Sequence, residues 1–449
     1  MSRNEPSRSI ERSLALYARA LQLVPGGTQL ISRRPHIFAP GVAPIFATGA
    51  KGSRIWDVDD QEYLDYGMSV SACILGYADS EVNAAVRMQL DDGTLFSLNH
   101  PLELELAEQL CATIPCAEMV RYAKGGGEAC AIAVRIARGS TGCDKVLFCG
   151  YHGWHDWYLA ANLDRDDSLD EHLLPGIEPV GVPRGLAGTS IPFRYGDAPA
   201  LESLLRAHAG EVACVILEPM RSQRPEEGYL EAVRELTRRY GVVLIFDEVT
   251  TGFRHAVGGV QTYLGVTPDM AVFAKSLGNG YPMAAVVGRR EVMQSAAWMF
   301  LSSTNWSELV GIRAALATLA EIRRREVPRQ LADFGRRLIE GFNRLAAEVG
   351  VQARMVGLPA TPRIEFHAPS GPSTAGQMAA LYFQEMARRG VLINAGPRHS
   401  AAHGDADLEQ TLDASREALR IVHQAAENGR LESSLKGKIE PPVFRRMVD

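Results

Sequence analysis

The chain has 449 residues, with 47 lysine and arginine residues against 53 aspartate and glutamate residues, which gives a formal net charge of −6. Mild acidity without a basic run excludes nucleic-acid binding as the main task, and a polar N-terminus without an apolar run of ~18 residues argues against a signal peptide and a membrane span. The 7 cysteines are odd in number and lack Cys-X-X-Cys spacing, which indicates a reduced, cytoplasmic protein and no metal site.

The length exceeds what one hydrophobic core usually supports, so two domains are expected. Residues 10–24 show a helical pattern that ends at Pro25-Gly26-Gly27. Short β signals follow at 45–48, 53–59 and 62–66 and predict a small meander. We therefore expect residues 1–60 to join a smaller domain that is completed by the C-terminal part of the chain.

Between about residues 80 and 320, helical and strand patterns alternate. Predicted helices cover 81–90, 102–114, 129–138, 229–240 and 309–325, and predicted strands cover 119–122, 145–149, 212–217, 242–246 and 270–274. Short apolar strands alternating with helices imply an α/β fold, with a mainly parallel sheet covered on both faces. Residues 61–320 are therefore predicted to form the large domain.

The remainder of the chain predicts a smaller α+β domain over residues 321–430. Helices are expected at 327–349, 377–388 and 405–428, with short strands at 353–366 and 391–393. Residues 431–449 are polar and basic and are predicted to form a tail.

Polar residues follow three of the predicted buried strands, at the sheet edge where α/β proteins bind ligands. They are Glu218, Asp247 and Lys275. A carboxylate after an apolar strand either caps the next element or faces a cation. A lysine at such an end is either structural or, if desolvated, nucleophilic towards carbonyls. Because only six residues of this chain are lysines and arginine stays protonated, few alternatives exist for that role.

Together, Asp247 and Lys275 suggest a pyridoxal phosphate (PLP) site, which needs an amine for a Schiff base and an acid for the pyridinium nitrogen. Lys124-Gly125-Gly126-Gly127 lies between a short strand and a helix and offers a phosphate cradle of backbone N–H groups. Tyr151, just past the strand at 145–149, is a candidate for stacking on the ring. Taken singly, a triple glycine and a lone aromatic residue have ordinary loop and packing explanations.

The ordered set of motifs resembles the class III (fold type I) PLP-dependent aminotransferases, and most closely the branch of glutamate-1-semialdehyde 2,1-aminomutase. The resemblance covers about residues 25 to 419. Its motifs are Pro25-Gly26-Gly27, Tyr63-Leu64-Asp65-Tyr66, the cradle before Glu128-Ala129, Arg135-Ile136-Ala137-Arg138, Tyr151-His152-Gly153, Leu217-Glu218-Pro219, Phe246-Asp247-Glu248-Val249, Thr251-Gly252-Phe253-Arg254 and Ala274-Lys275. It implies a seven-stranded type of sheet in the large domain.

The resemblance also implies roles. Lys275 would hold PLP and shuttle the substrate proton, and Asp247 would keep the ring nitrogen protonated. Val249 and Tyr151 would press on the two ring faces. The remaining cofactor-site residues would be Gly125, Gly126, Gly127, His152, Glu218 and Thr304. Thr304 matches the family threonine that reaches the phosphate of a neighbouring subunit, which implies a homodimer with shared active sites.

Several positions depart from the family pattern. Lys124 and Gly125 stand where the family has Asn and Ser, and Gly127 replaces Thr, so a hydroxyl donor to the phosphate is lost. Lys124 either compensates with its charge or faces solvent. After Thr304 the family's Gly-Asn-Pro is absent, and Trp306 in that segment either reshapes the pocket or packs.

Changes at the substrate positions make glutamate-1-semialdehyde a doubtful substrate. Arg33 falls near the arginine that binds the aminomutase substrate, but Leu30 replaces a serine and Asn394 replaces a glutamate. The sequence therefore predicts an aminotransferase that moves an amino group between an amine or amino acid and a carbonyl compound. An aminomutase or an amino-acid racemase is the alternative, and a non-catalytic PLP-binding protein is the least favoured.

Overall fold

A computed structural model describes residues 8–368 and 371–437 of the chain. The described residues form two compact units. We call residues 80–328 the central unit, and residues 8–79 with 329–437 the terminal unit. Residues 438–449, which include most of the predicted tail, lie outside the described residues, whereas Leu431–Ser434 form a short helix instead of a loose tail.

The strands of the described residues, in chain order, are β1 (Ala47–Lys51), β2 (Arg54–Asp57), β3 (Glu62–Asp65), β4 (Met119–Ala123), β5 (Lys145–Cys149), β6 (Ser190–Pro192), β7 (Val212–Leu217), β8 (Val243–Asp247), β9 (Met270–Phe273), β10 (Ala284–Gly288), β11 (Ala353–Leu358), β12 (Thr361–Phe366) and β13 (Val391–Leu392).

The α-helices of the same residues are α1 (Glu11–Leu23), α2 (Met68–Ser71), α3 (Ser80–Asp92), α4 (Pro101–Thr113), α5 (Gly126–Thr141), α6 (Asp156–Leu159), α7 (Ala198–Ala207), α8 (Tyr229–Arg239), α9 (Val260–Leu264), α10 (Arg290–Met293), α11 (Leu309–Arg324), α12 (Val327–Val349), α13 (Pro372–Arg388), α14 (Asp405–Glu427) and α15 (Leu431–Ser434).

The central unit is built on a seven-stranded sheet in the order β4-β10-β9-β8-β7-β5-β6. β10 runs antiparallel to both of its neighbours, and the other pairs are parallel. Every residue of β7, β8, β9 and β10 is buried. Continuous apolar strands of this kind are stable only when helices cover both faces of the sheet. The predicted α/β fold with a mainly parallel sheet is therefore confirmed.

The terminal unit combines a four-stranded sheet, β1-β2-β3-β13, with the β11–β12 hairpin and helices. Its core lies between these strands and helices α12, α13 and α14. Leu64 and Tyr66 from the N-terminal segment pack there with Phe342 and Tyr382 from the C-terminal segment. The Tyr66 hydroxyl is 2.8 Å from the Thr411 hydroxyl. The two ends of the chain thus share one hydrophobic core.

Sequence patterns missed several elements of the central unit, among them β6, α7 and β10. Strand β6 has only three residues, and β10 contains small apolar residues without period-2 alternation. Helix α7 is capped by Asp197, whose carboxylate accepts the Ala200 N–H at 2.8 Å. Strands as short as β6 or as fully buried as β10 carry little periodicity. Among the described residues, none of the helices has the length and apolar character needed to cross a membrane.

Candidate active site

Asp247 and Lys275 lie at the same edge of the central sheet. Asp247 is the last residue of β8 and is paired in register with Val272 of the parallel strand β9. Lys275 follows β9 by two residues and begins a 3₁₀ turn. Because the carboxyl ends of parallel strands meet at one edge, the fold brings the predicted acid and the predicted amine to the same place.

The carboxylate of Asp247 is buried and held by three donors. Its Oδ1 accepts the Val249 N–H at 3.0 Å, and its Oδ2 lies 2.8 Å from His152 Nδ1 and 3.4 Å from Cys130 Sγ. His152 is itself buried, and its Nε2 lies 3.2 Å from the Cys149 carbonyl oxygen. His152 therefore acts through Asp247, whose orientation it fixes.

Cys130 was not identified from the sequence, although it lies four residues after Gly126 on α5 and so on the same helix face. Burial and the negative charge of Asp247 raise the pKa of the Cys130 thiol, so the sulfur keeps its proton and donates it. Cys130, His152 and Asp247 place possible metal-ligand atoms within 4.8 Å of one another. Cys130 Sγ and His152 Nδ1 each contact Asp247 Oδ2, so both side chains hold the carboxylate in place.

Lys275 sits on strained backbone. Its φ is 45°, in the left-handed region that side chains rarely adopt, at a cost of about 1–3 kcal/mol. Its Nζ donates a hydrogen bond to Thr250 Oγ1 at 2.8 Å. Thr250 lies three residues after Asp247, a spacing that could have pointed to it in the sequence. The contact holds the amine beside the segment that carries the acid.

The glycine cradle reaches the same edge. A Cβ placed on Gly126 would lie 2.9 Å from Val249 Cγ1 and 3.5 Å from Ala274 Cβ, and one on Gly127 would lie 3.2 Å from Gly153 Cα. Glycine at these two positions therefore permits a close approach of the backbone to both neighbours. The cradle, Val249 and the residue before Lys275 are packed against one another.

The N-terminus of α5 offers unsatisfied N–H groups. Gly125 is the N-cap residue, and its carbonyl accepts the Ala129 N–H at 3.0 Å as the first intrahelical bond. The N–H groups of Gly126 and Gly127 precede that bond, so the helix provides no acceptor for them. Such groups, together with the helix dipole, bind anions such as phosphate.

Tyr151 and Glu218 lie next to this edge. The Tyr151 backbone N–H donates to Glu218 Oε2 at 3.2 Å, and Arg221 pairs with the same oxygen at 3.1 Å. Burial and the neighbouring acids, among them Asp247 and Glu218, raise the pKa of Tyr151. The phenol therefore remains neutral, as a stacking residue requires.

The segment that follows β10 contacts the cradle. Thr304 begins a 3₁₀ turn, Thr304–Ser307, and its side chain is exposed. Trp306 Nε1 donates to Glu128 Oε1 at 2.9 Å, and Lys124 Nζ lies 2.9 Å from Glu308 Oε2. Lys124 therefore binds a glutamate, a third arrangement beside the two that the sequence left open.

Arg33 and Asn394, the two remaining predicted substrate residues, belong to the terminal unit. Both side chains are exposed, and Asn394 Oδ1 accepts the Gly396 N–H at 2.9 Å. The other predicted site residues belong to the central unit.

The edge of the central sheet fits pyridoxal phosphate. A buried carboxylate suits a protonated ring nitrogen, a lysine amine at the neighbouring strand end suits a carbonyl carbon, and free N–H groups at a helix start suit a phosphate. Each of the three chemical parts of the cofactor has a matching group on adjacent segments of the chain.

Comparisons with known proteins identify the family of the chain. The sequence matches the family Aminotransferase class-III over residues 37–399. It is 37% identical to the 3-aminobutyryl-CoA aminotransferase of Cloacimonas acidaminovorans, over 92% of this chain and 98% of the relative. It is 36% identical to the glutamate-1-semialdehyde 2,1-aminomutase of Roseiflexus castenholzii, over 93% and 99% of the two chains.

Among solved structures, the FumI protein of Sphingopyxis sp., determined in its PLP internal aldimine form, superimposes with a TM-score of 0.82 at 26% identity. The superposition covers 93% of this chain and 97% of the other. The fold is thus the fold type I arrangement that the sequence resemblance implies. The chain belongs to the class III aminotransferases and is a PLP-dependent enzyme.

Proposed function

We propose that this enzyme transfers an amino group between a small amine or amino acid and a carbonyl compound, with Lys275 as its catalytic amine. The observation that carries the proposal is the meeting of three features at one sheet edge. These are the buried carboxylate of Asp247, the amine of Lys275 on a strained turn, and the unsatisfied N–H groups of the α5 cradle.

When bound, pyridoxal phosphate supplies an electron sink for negative charge that develops on the substrate carbon next to the amino group. Lys275 Nζ would hold the cofactor and would carry the proton that leaves that carbon. Its hydrogen bond to Thr250 keeps Nζ at the sheet edge.

Asp247 would hold the proton of the ring nitrogen, and the N–H groups of Gly126 and Gly127 would hold the phosphate. Val249 and Tyr151 would contact the two faces of the ring, while His152 and Glu218 orient Asp247 and Tyr151, respectively.

An aminomutase reaction on the same cofactor is the second candidate, because relatives at similar identity carry that name. Leu30 and Asn394 replace the serine and glutamate of the aminomutase pattern, which favours transfer to a separate acceptor. A racemase would need neither acceptor nor amino-group movement.

A panel of amino donors and carbonyl acceptors tests the proposal. Addition of a donor alone should convert the cofactor to its amino form, with release of one equivalent of carbonyl product, and an acceptor should restore the starting absorbance. Isomerisation or racemisation at full rate without any acceptor would overturn the transferase assignment.

We further infer that the enzyme is a homodimer with shared sites. Thr304 is exposed, and large apolar side chains of the central unit are exposed as well, with Leu98 and Phe300 each at 84% and Trp298 at 86%. Apolar groups exposed to this degree are typical of surfaces that a partner covers. The double variant Trp298→Ser, Phe300→Ser should shift the sedimentation coefficient towards that of a monomer, and an unchanged value would contradict this interface.

We also propose that the protein resides in the cytoplasm. All seven cysteines are free, and five of them are buried. Free buried thiols without a disulfide framework are typical of proteins kept in a reducing compartment. Fractionation of cells that express the native gene is the direct test.

A further inference from the structure

Both α5 and α11 have a glutamate at or near their first turn whose carboxylate accepts backbone N–H groups. On α5, Glu128 Oε2 accepts the backbone N–H groups of Lys124 at 2.9 Å and Gly125 at 3.4 Å. On α11, Glu308 is the N-cap residue, and its carboxylate accepts the Val310 N–H at 2.7 Å and the Gly311 N–H at 3.3 Å. Each carboxylate thus stabilises the positive end of its own helix.

The two glutamates are also linked crosswise, because a side chain close to each glutamate in sequence binds the other glutamate. Trp306, two residues before Glu308, donates its indole N–H to Glu128 Oε1 at 2.9 Å. Lys124, four residues before Glu128, donates to Glu308 Oε2 at 2.9 Å and to the Glu308 carbonyl at 3.0 Å. We call these four residues, Lys124, Glu128, Trp306 and Glu308, the reciprocal clasp.

The clasp is shielded from water. The side chains of Lys124 and Glu308 are 19% and 25% exposed. Burial opposes ionisation of Glu308, but the Lys124 amine and the backbone donors outweigh it and lower the pKa of the carboxyl. The Glu308 carboxylate is therefore charged at neutral pH, and the hydrogen bonds that it accepts are of the stronger, charge-assisted kind.

The surroundings leave room for the lysine. A Cβ on Gly311 would lie 2.9 Å from Lys124 Nζ and 2.4 Å from the Pro282 carbonyl oxygen. Only glycine at the first turn of α11 lets the lysine amine reach the Glu308 carboxylate while the chain passes Pro282. The backbone at Gly311 therefore leaves the space that the Lys124 side chain occupies.

We propose that the reciprocal clasp positions the phosphate cradle, so that Lys124 and Trp306 are positioning residues for the cofactor phosphate and do not bind it themselves. This inference rests on the proposed function, in which Gly126 and Gly127 bind the phosphate. Its basis is that the Lys124 amine is engaged by Glu308, whereas the N–H groups of Gly126 and Gly127 have no helical acceptor.

The need for such a clasp follows from the cradle itself. Three consecutive glycines have the largest backbone freedom that a loop can have, and ordering them opposes ligand binding. Contacts on both sides of the glycines, at Lys124 and Glu128, restrict that freedom before the phosphate arrives. The same contacts tie the cradle to the segment that carries Thr304.

Comparison of PLP with phosphate-free pyridoxal tests the clasp, because only PLP uses the cradle. Dissociation constants of the apoenzyme are measured by fluorescence for the wild type, Lys124→Met and Trp306→Phe. We expect the PLP constant to rise about tenfold for Lys124→Met and roughly fivefold for Trp306→Phe. The pyridoxal constant should stay within about twofold of the wild-type value.

Glu308→Gln distinguishes the clasp from a direct contact between Lys124 and the phosphate. If Lys124 acts through Glu308, this variant weakens PLP binding as Lys124→Met does, and the double variant is no weaker than either single one. If Lys124 bound the phosphate directly, release from Glu308 would leave PLP affinity unchanged or improve it, and that result would overturn the proposal.

Lys145→Met is the matched control. Lys145 is 24% exposed and pairs with Glu211 at 2.6 Å, but it lies at the amino end of β5, away from the cradle. Its PLP constant should equal that of the wild type. Equal losses for PLP and pyridoxal in the clasp variants would indicate general destabilisation and contradict the proposal. A wild-type apoenzyme that binds neither compound would instead refute the proposed function.

Discussion

The floor of the site around Asp247 and the cradle around Gly126 meet at one sheet edge but are built differently. Around Asp247 the polar groups are buried and hydrogen-bond to its carboxylate, as His152 does. Around the cradle, two residues that depart from the family pattern make the contacts: Lys124 binds Glu308, and Trp306 binds Glu128.

The difference follows from the cost of burying charge. A carboxylate in a dry site tolerates few alternatives, since an unpaired buried charge costs several kcal/mol. A phosphate held by backbone N–H groups does not depend on particular side chains. Side chains around the cradle can therefore be replaced, provided that the new side chains hydrogen-bond to one another. The side chains around Asp247 do not allow such replacement.

Loss of the amine should have the largest effect. In Lys275→Ala, borohydride treatment should no longer attach the cofactor covalently to the chain, and turnover should fall by at least about 10³-fold, because no other group carries the substrate proton. Mass spectrometry of the reduced protein measures the first quantity and a coupled assay the second. Lys145→Ala is the control, and covalent cofactor on Lys275→Ala would show that another lysine serves.

Removal of the charge at the floor should come next. Asp247→Asn keeps the shape but loses the negative charge that faces the ring nitrogen, so turnover and PLP affinity should each fall roughly 10²- to 10³-fold. Steady-state kinetics and equilibrium dialysis give the two values. Normal kinetics in this variant would refute the role of Asp247 and, with it, the contrast between floor and cradle.

The thiol should matter less, because a sulfhydryl is a weak donor. Cys130→Ala should weaken PLP binding by about two- to fivefold, and Cys130→Ser, which keeps a donor, should restore it. Cys143→Ala serves as the control, because its thiol contacts the carbonyls of Thr141 and Gly210 and not Asp247. If the two alanine variants bind PLP equally well, Cys130 does not help to hold Asp247.

The smallest effect concerns pH and stability. Burial raises the pKa of Glu248 to about 7. Between its ordinary value, about 4.3, and 7, the folded state then binds more protons than the unfolded state, so stability falls as pH rises. The Tm of the wild type should therefore fall relative to the Tm of Glu248→Gln as the pH rises through that window. Since the pKa of Glu308 is lowered, the Tm of the wild type should instead fall relative to the Tm of Glu308→Gln as the pH drops below about 4.3.

Local sequence determined much of the fold and of the floor of the site. Apolar runs placed β7, β8 and β9 and, with them, the polar residues at their ends, because strands buried on both faces leave a continuous hydrophobic signal. The glycines before α5 identified the cradle, because the starts of helices have recognisable residues.

Tertiary structure alone decided which side chains meet. Cys130 and Asp247 are 117 residues apart, and Lys124 and Glu308 are 184 apart. Neither contact leaves a periodic or local trace in the sequence, because such pairs form only when distant strands take their places in the sheet. Composition supplied six lysines and the motifs singled out Lys275. The fold assigned Lys124 to Glu308, because packing of α11 beside the cradle brings that carboxylate within reach of its amine.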